Sequence, residues 1–144
     1  MTPDDPHELQ RFVAAQGDGT YEQALAELRA GRKTSHWMWF VFPQVAGLGR
    51  SPTAQRYAIR SLDEARAYLG HHVLGPRLRE AARALTALPG GDAAAVLGGV
   101  DAQKLRSSMT LFLRAAPDEE VFRAVLDQYY GGDPDPATDR ILGR

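Results

Sequence analysis

Residues 33–44 read KTSHWMWFVFPQ, and this stretch sets how the chain must fold. It contains both tryptophans of the protein and two of its five phenylalanines. Seven of the eight residues from 37 to 44 are apolar or proline. Aromatic rings remove large apolar areas from water when they pack. We therefore expect this stretch at the centre of the core, with Trp37 and Trp39 mostly buried.

Polar side chains flank the aromatic stretch at both ends. Lys33, Ser35 and His36 precede it, and Gln44 ends it. A buried indole needs an acceptor for its N–H group, so polar partners are expected nearby. Apolar walls with a few convergent polar groups are typical of a ligand pocket. The same composition also suits a plain aromatic core with a solvated lysine, and composition alone leaves both interpretations open.

The length and composition limit the class of protein. A chain of 144 residues fits one domain, here residues 1–144. The net charge of −1 and the lack of a basic run argue against nucleic-acid binding. Cysteine is absent, which excludes thiolate metal sites and suits a reducing compartment. With no signal-peptide pattern and no membrane-spanning apolar run, we expect a cytoplasmic protein that uses no membrane, metal ion or cofactor.

Helix start and stop signals recur along the chain. Capping residues followed by proline, or capping boxes, predict helix starts at Asp5, Thr20, Ser51 and Ser61, and glycines mark most helix ends. The aromatic stretch fits a buried strand or a short helix, and its helical neighbours favour a helix that ends at Pro43. The pattern predicts an all-α fold, a single multihelical domain of about six to nine short helices without a significant sheet. The predicted core consists of Phe12, Leu25, Leu28, Trp37, Phe40, Leu78, Leu105, Met109, Phe112, Phe122 and Leu126.

Two adjacent histidines, His71 and His72, follow the helix that begins near Ser61. They resemble metal ligands, but neighbouring side chains on a helix point in different directions. We expect them instead to interact favourably with the carbonyl groups at the end of that helix.

A second informative stretch, residues 101–114, reads DAQKLRSSMTLFLR. On a helical projection its large apolar residues spread over roughly 200°, and Lys104 and Ser108 fall inside that arc. Ser107 and Thr110 fall outside it and are expected to face solvent. A lysine inside the arc needs an anionic or carbonyl partner. It forms either a structural ion pair or one wall of an anion-binding site, and the pattern leaves the two open.

Several other polar residues are candidates for binding or chemistry. Arg50 and Ser51 follow a glycine loop at a predicted helix start, which suits a phosphate or carboxylate but is also ordinary loop and cap composition. The acidic residues that could form a catalytic pair are assigned to capping or solvent positions. They are Asp63, Glu64, Asp101, Asp133, Asp135 and Asp139.

Four segments, together with the pair Ala15-Gln16, resemble the bacterial family known as domain of unknown function 1810. They are YEQALAEL (21–28), GRKTSHWMWFVFPQVAGLGRS (31–51), AYLGHHVLGPRL (67–78) and DAQKLRSSMTLF (101–112). The resemblance covers nearly the whole chain and implies a multihelical domain with no established activity. Its most recognisable segments, 33–51 and 104–112, are those already singled out by their chemistry, so we expect them to face one site.

Such a site predicts binding of an anionic, nucleotide-like small molecule, because indole faces stack planar rings and cations hold anions. The predicted ligand-binding residues are Lys33, Ser35, His36, Trp37, Trp39, Gln44, Arg50, Ser51, Lys104 and Ser108. His36 is the candidate acid or base for a hydrolytic reaction. No familiar catalytic motif accompanies it, so the sequence leaves open whether the protein is an enzyme. The alternative is a non-catalytic protein–protein interaction module in which the aromatic stretch is only core.

Overall fold

The computed structural model describes residues 5–144, and ten α-helices lie in this range. They are α1 Gln10–Ala15, α2 Thr20–Ala30, α3 Met38–Val41, α4 Pro52–Arg56, α5 Leu62–Gly70, α6 Leu74–Thr86, α7 Ala93–Leu97, α8 Gly99–Ala115, α9 Glu120–Tyr130 and α10 Pro136–Ile141. Within the described range, strand-like pairing is limited to one parallel bridge between Val45 and Ile59. The all-α prediction is confirmed, with one helix more than the expected upper number.

Capping side chains begin several helices as predicted. Ser51 and Ser61 accept hydrogen bonds from the third residue that follows each of them, at the starts of α4 and α5. Asp92 does the same for α7. Gly31 and Gly131 adopt left-handed backbone conformations at the ends of α2 and α9, with φ of 76° and 62°.

Two predicted helix starts are wrong in detail. The Asp5 carboxylate accepts from the backbone N–H groups of Leu9 and Gln10, so a turn intervenes and α1 begins only at Gln10. Thr20 is the first residue of α2 rather than its cap, because Gly19 occupies the capping position with a φ of 83°.

Helix α8 lies at the centre of the molecule. It packs against α5, α7, α9 and α10, while α6 packs against α2, α5 and α9. Every predicted core residue is buried except Phe40, which is partly exposed and packs against the ring of Tyr57. None of the helices in residues 5–144 combines the length and apolar character that crossing a bilayer requires.

The prediction that Ser107 and Thr110 face solvent is wrong, since both are buried under α10. The Ser107 hydroxyl donates to the carboxylate of Asp135, and the Thr110 hydroxyl accepts from the backbone N–H of Asp135. The polar face of α8 is therefore the docking surface for the last helix. Asp135, predicted as a cap, does cap α10 but is buried, and Glu64 is also buried rather than exposed.

The role predicted for His71 is also wrong. Its Nδ1 atom accepts from the backbone N–H groups of Val73 and Leu74, at 3.1 and 3.3 Å, and so caps the start of α6. Only a neutral imidazole can accept these bonds. Burial, together with the neighbouring His72, lowers the pKa of His71 below its usual range.

Candidate functional site

The buried carboxylate of Glu27, on α2, holds the chain that leads into the aromatic stretch. It accepts from the backbone N–H groups of Thr34 and Ser35 at 2.7 and 3.0 Å and from the Ser35 hydroxyl at 2.6 Å. It also accepts from the indole N–H of Trp37 at 3.0 Å and from the amide of Gln23 at 2.9 Å. This one side chain therefore sets the course of residues 34–37 and the orientation of the Trp37 ring.

Glu27 is ionised in the folded protein. Burial would raise the pKa of its carboxyl group, but hydrogen bonds from Ser35, Gln23, Thr34 and Trp37 outweigh burial and hold that pKa well below its usual range. Sequence analysis missed this residue. The feature of the sequence that could have pointed to Glu27 is Trp37, because a buried indole N–H requires an acceptor.

Asp101 joins the two informative stretches. Its carboxylate lies 2.8 Å from the Lys33 ammonium and 3.4 Å from the Lys104 ammonium. The side chains are 7% exposed for Lys33, 17% for Asp101 and 21% for Lys104. Lys104 therefore has the carboxylate partner that an inward-facing lysine requires, while the cluster keeps one positive charge in excess.

Each of these lysines also covers an indole ring. The Lys33 ammonium lies 5.1 Å from the centre of the Trp37 ring, and the Lys104 ammonium lies 4.4 Å from the centre of the Trp39 ring. Trp37 is 1% exposed, as predicted. Trp39 is also mostly buried, as predicted, but it is partly exposed where it lines a cleft at the surface.

We call this depression the Trp39 cleft; its volume is about 110 Å³. Its walls are Trp39, Gln44, the loop 45–49 and the segment 54–60, which contributes Gln55, Tyr57 and Arg60. Backbone hydrogen bonds join the two walls, from Ala46 N–H to the Ile59 carbonyl and from Ile59 N–H to the Gln44 carbonyl, both 2.8 Å. The cleft is thus built on a fixed backbone pairing.

A second depression, the arginine cleft, adjoins the first and shares Gln55, Ala58 and Arg60 with it. Its volume is about 470 Å³, and its remaining walls are Glu8, Arg11 and Arg56. Arg11 and Arg60 both contact the buried carboxylate of Glu64, at 2.8 and 3.0 Å. The three arginines together with Glu8 and Glu64 carry a net charge of +1. Arg56 and Arg60 are both exposed, and the Arg56 guanidinium lies 5.5 Å from the centre of the Tyr57 ring.

The profile of the family described as protein of unknown function (DUF1810) matches residues 6–142. The chain belongs to this family. A crystal structure of a conserved hypothetical protein from Mycobacterium tuberculosis is 51% identical, with a TM-score of 0.94 over 97% of this chain and 99% of that chain. No curated protein matches. The resemblance inferred from the four sequence segments is confirmed.

In this DUF1810 protein, three of the predicted ligand-binding residues lie at the Trp39 cleft. Trp39 and Gln44 line it, and Lys104 covers the Trp39 ring. Lys33 and Trp37 lie behind this surface, on the side of Asp101 and Glu27.

The remaining predicted residues lie elsewhere. The Ser35 hydroxyl is bonded to Glu27, and the Ser51 hydroxyl caps α4. His36 and Arg50 are exposed and do not line the Trp39 cleft. Ser108 is fully buried, and its hydroxyl has no hydrogen-bond partner within the described part of the chain.

Residues 54–60, which read AQRYAIR, contribute the site residues that sequence analysis missed. Their signal is weak, since Tyr57 between Arg56 and Arg60 resembles an ordinary surface segment. Among residues 5–144, histidine and acidic side chains form no group of three that could hold a metal ion.

Proposed function

We propose that this protein binds a small molecule that combines a planar ring with an anionic group. The observation that supports it most is the partly exposed Trp39, which lines a cleft that shares Gln55, Ala58 and Arg60 with a second cleft containing three arginines. An aromatic face beside guanidinium groups is the combination that recognises nucleotide-like ligands.

The Trp39 cleft suits the ring of such a ligand. Its volume of about 110 Å³ is below the roughly 300 Å³ at which whole-ligand pockets begin, so it accepts one ring rather than an entire nucleotide. Trp39 and Tyr57 supply aromatic surface, and the amides of Gln44 and Gln55 supply donors and acceptors for the ring edge. Lys104, stacked on Trp39, is a positioning residue for the indole.

The arginine cleft suits the anionic group. Arg60 borders both clefts, so a ligand whose ring contacts Trp39 brings its next substituent to the arginine side chains. The guanidinium fork binds phosphate and carboxylate groups through paired hydrogen bonds. Arg56 and Arg60 therefore replace Arg50 as the proposed anion-binding arginines. His36 lies outside the cleft, so the proposal is binding without an assigned catalytic role.

The test starts from a thermal-shift screen of nucleoside monophosphates and other ring-bearing phosphates. A ligand that binds only the folded state at one hundred times its Kd stabilises it by about 2.7 kcal/mol. Calorimetric titration of the best compound then compares the wild type with Trp39→Leu and Arg56→Ala. We expect each change to weaken binding about tenfold or more, because Trp39→Leu removes a stacking surface and Arg56→Ala removes a charged hydrogen-bond donor.

Arg140→Ala is the matched control, because Arg140 is also exposed and lines neither cleft. It should bind as the wild type does. Binding that is unchanged in both Trp39→Leu and Arg56→Ala would reject the proposed site. A screen in which no compound raises the melting temperature would favour the alternative of a protein interaction module.

A further inference from the structure

A groove on the surface formed by α2 and α6 shares none of its lining residues with the two clefts described above. Its volume is about 630 Å³, within the range of roughly 300 to 1,000 Å³ that small-molecule sites occupy. Three arginines line it, Arg29 from α2 and Arg77 and Arg83 from α6, beside the apolar side chains of Ala84 and Leu88.

The groove carries an excess of positive charge. Among residues 5–144, Glu80 is the only acidic residue that lines it. One Glu80 oxygen accepts the hydroxyl of Tyr21 at 2.6 Å, and the other lies 3.7 Å from the Arg29 guanidinium. Because Arg29 and Glu80 are 63% and 48% exposed, this ion pair is weak and leaves Arg29 available to another anion. Three guanidinium groups against one carboxylate leave two positive charges facing the groove.

Arg77 is held in place before any ligand arrives. Its guanidinium lies 4.9 Å from the centre of the Tyr21 ring and donates to the side-chain oxygen of Gln16 at 3.3 Å. Gln16 is 1% exposed and is itself fixed by a 2.7 Å bond from its amide to the carbonyl of Phe40. A preorganised guanidinium loses less conformational freedom on binding than a free surface arginine.

We propose that this groove is a second binding site, for a small molecule that carries a diphosphate. Arginine forks match the paired oxygens of phosphate groups, and three of them balance the charge of a diphosphate better than that of a single carboxylate. Ala84 and Leu88 provide an apolar floor for the organic part of the ligand.

Inorganic pyrophosphate is the probe, because it lacks a ring and so does not depend on the Trp39 cleft. Its binding is followed by calorimetry and by the NMR signals of the arginine side-chain N–H groups. We expect saturable binding that weakens about tenfold or more in Arg83→Ala and in Arg29→Ala, each of which removes a charged donor pair. Arg77→Lys should also weaken binding, because it keeps the charge but loses the fork.

Two variants serve as controls. Arg140→Ala removes the same charge outside the groove, and Arg56→Ala removes a guanidinium group of the arginine cleft; both should bind pyrophosphate within about twofold of the wild type. Absence of saturable binding, equal weakening in Arg140→Ala, or weakening confined to Arg56→Ala would each overturn the proposal.

Discussion

Glu27 is the residue on which the geometry of the aromatic stretch most depends, because one carboxylate accepts all the hydrogen bonds that orient residues 34–37. Glu27→Gln keeps the shape but directs an N–H group at these donors. We expect the free energy of unfolding to fall by about 3 kcal/mol, the upper range for hydrogen bonds to a charged group. Urea unfolding measures this loss.

Glu22→Gln is the matched control, since Glu22 is exposed on the same helix. Its stability should stay within about 0.5 kcal/mol of the wild type. A loss below about 1 kcal/mol in Glu27→Gln would show that the carboxylate does not organise the segment.

The two tryptophans should differ in their contribution to stability. Trp37 is 1% exposed and fully hydrogen-bonded, so Trp37→Ala should lower the free energy of unfolding by about 3–5 kcal/mol. Trp39 is partly exposed, so Trp39→Ala should cost about 1–2 kcal/mol. Chemical denaturation of both variants provides the comparison. Equal losses would contradict the different burial of the two rings.

At the level of single residues, the sequence showed which buried polar groups require a partner, but it did not show which residues those partners are. The indole N–H of Trp37 and the ammonium of Lys104 were each expected to require a polar partner, and each has one. Glu27 and Asp101 could not be assigned as those partners, because the pairing depends on how α2, α8 and the aromatic stretch pack together.

At the scale of elements, the start of α6 depends on the protonation of His71. The pKa of His71 is lower in the folded state than in the unfolded state. The neutral side chain therefore contributes its full stabilisation above the usual histidine pKa of about 6.5, and this stabilisation is lost as the pH falls through the lower folded pKa. The cap is worth about 1 kcal/mol. Between pH 8 and pH 5, we expect the free energy of unfolding of the wild type to fall by this amount more than that of His71→Asn.

Asparagine caps helices without titrating, so the His71→Asn variant isolates this effect from the neighbouring His72 and Asp5. Urea unfolding of both proteins at the two pH values measures it. Parallel pH profiles for the wild type and the variant would show that His71 does not control the start of α6.

The docking of α10 depends on Asp135, which caps that helix and bonds to Ser107 and Thr110 of α8. Asp135→Ala should cost about 2–3 kcal/mol, the sum of a lost cap and a stranded buried hydroxyl. Asp133→Ala, at an exposed position of the same loop, should cost less than about 0.5 kcal/mol. Similar losses in the two variants, measured by thermal unfolding, would contradict this role.

Helix positions were largely predictable because caps and glycines act locally, as Ser51, Ser61 and Gly131 show. The faces of α8 were less predictable. A helical projection separates apolar from polar residues, but it does not show that α10 covers Ser107 and Thr110. Likewise, the position of His71 after α5 suggested a role at the end of that helix, whereas its side chain bonds to the start of α6.

For the whole molecule, residues 33–51 and 104–112 were expected to face one site. Asp101 joins Lys33 to Lys104 and so brings the two stretches together, while the shared binding site itself stays a prediction. Apart from Trp39, Glu8 and Arg11, the walls of both clefts come from residues 44–60, where the backbone pairing of Gln44 and Ala46 with Ile59 brings two segments together. Long-range pairing of this kind has no local sequence pattern, which is why Arg56, Tyr57 and Arg60 were missed.

The most direct test of the proposed Trp39 site uses the two indole N–H signals in a ¹⁵N–¹H NMR spectrum. The nucleoside monophosphate with the largest thermal shift is titrated into the full protein. The Trp37 signal is an internal control, because its N–H is buried against Glu27, whereas Trp39 lines the cleft. We expect a saturable shift of the Trp39 signal with little change at Trp37. A bound ligand that leaves the Trp39 signal unmoved would contradict the proposed site.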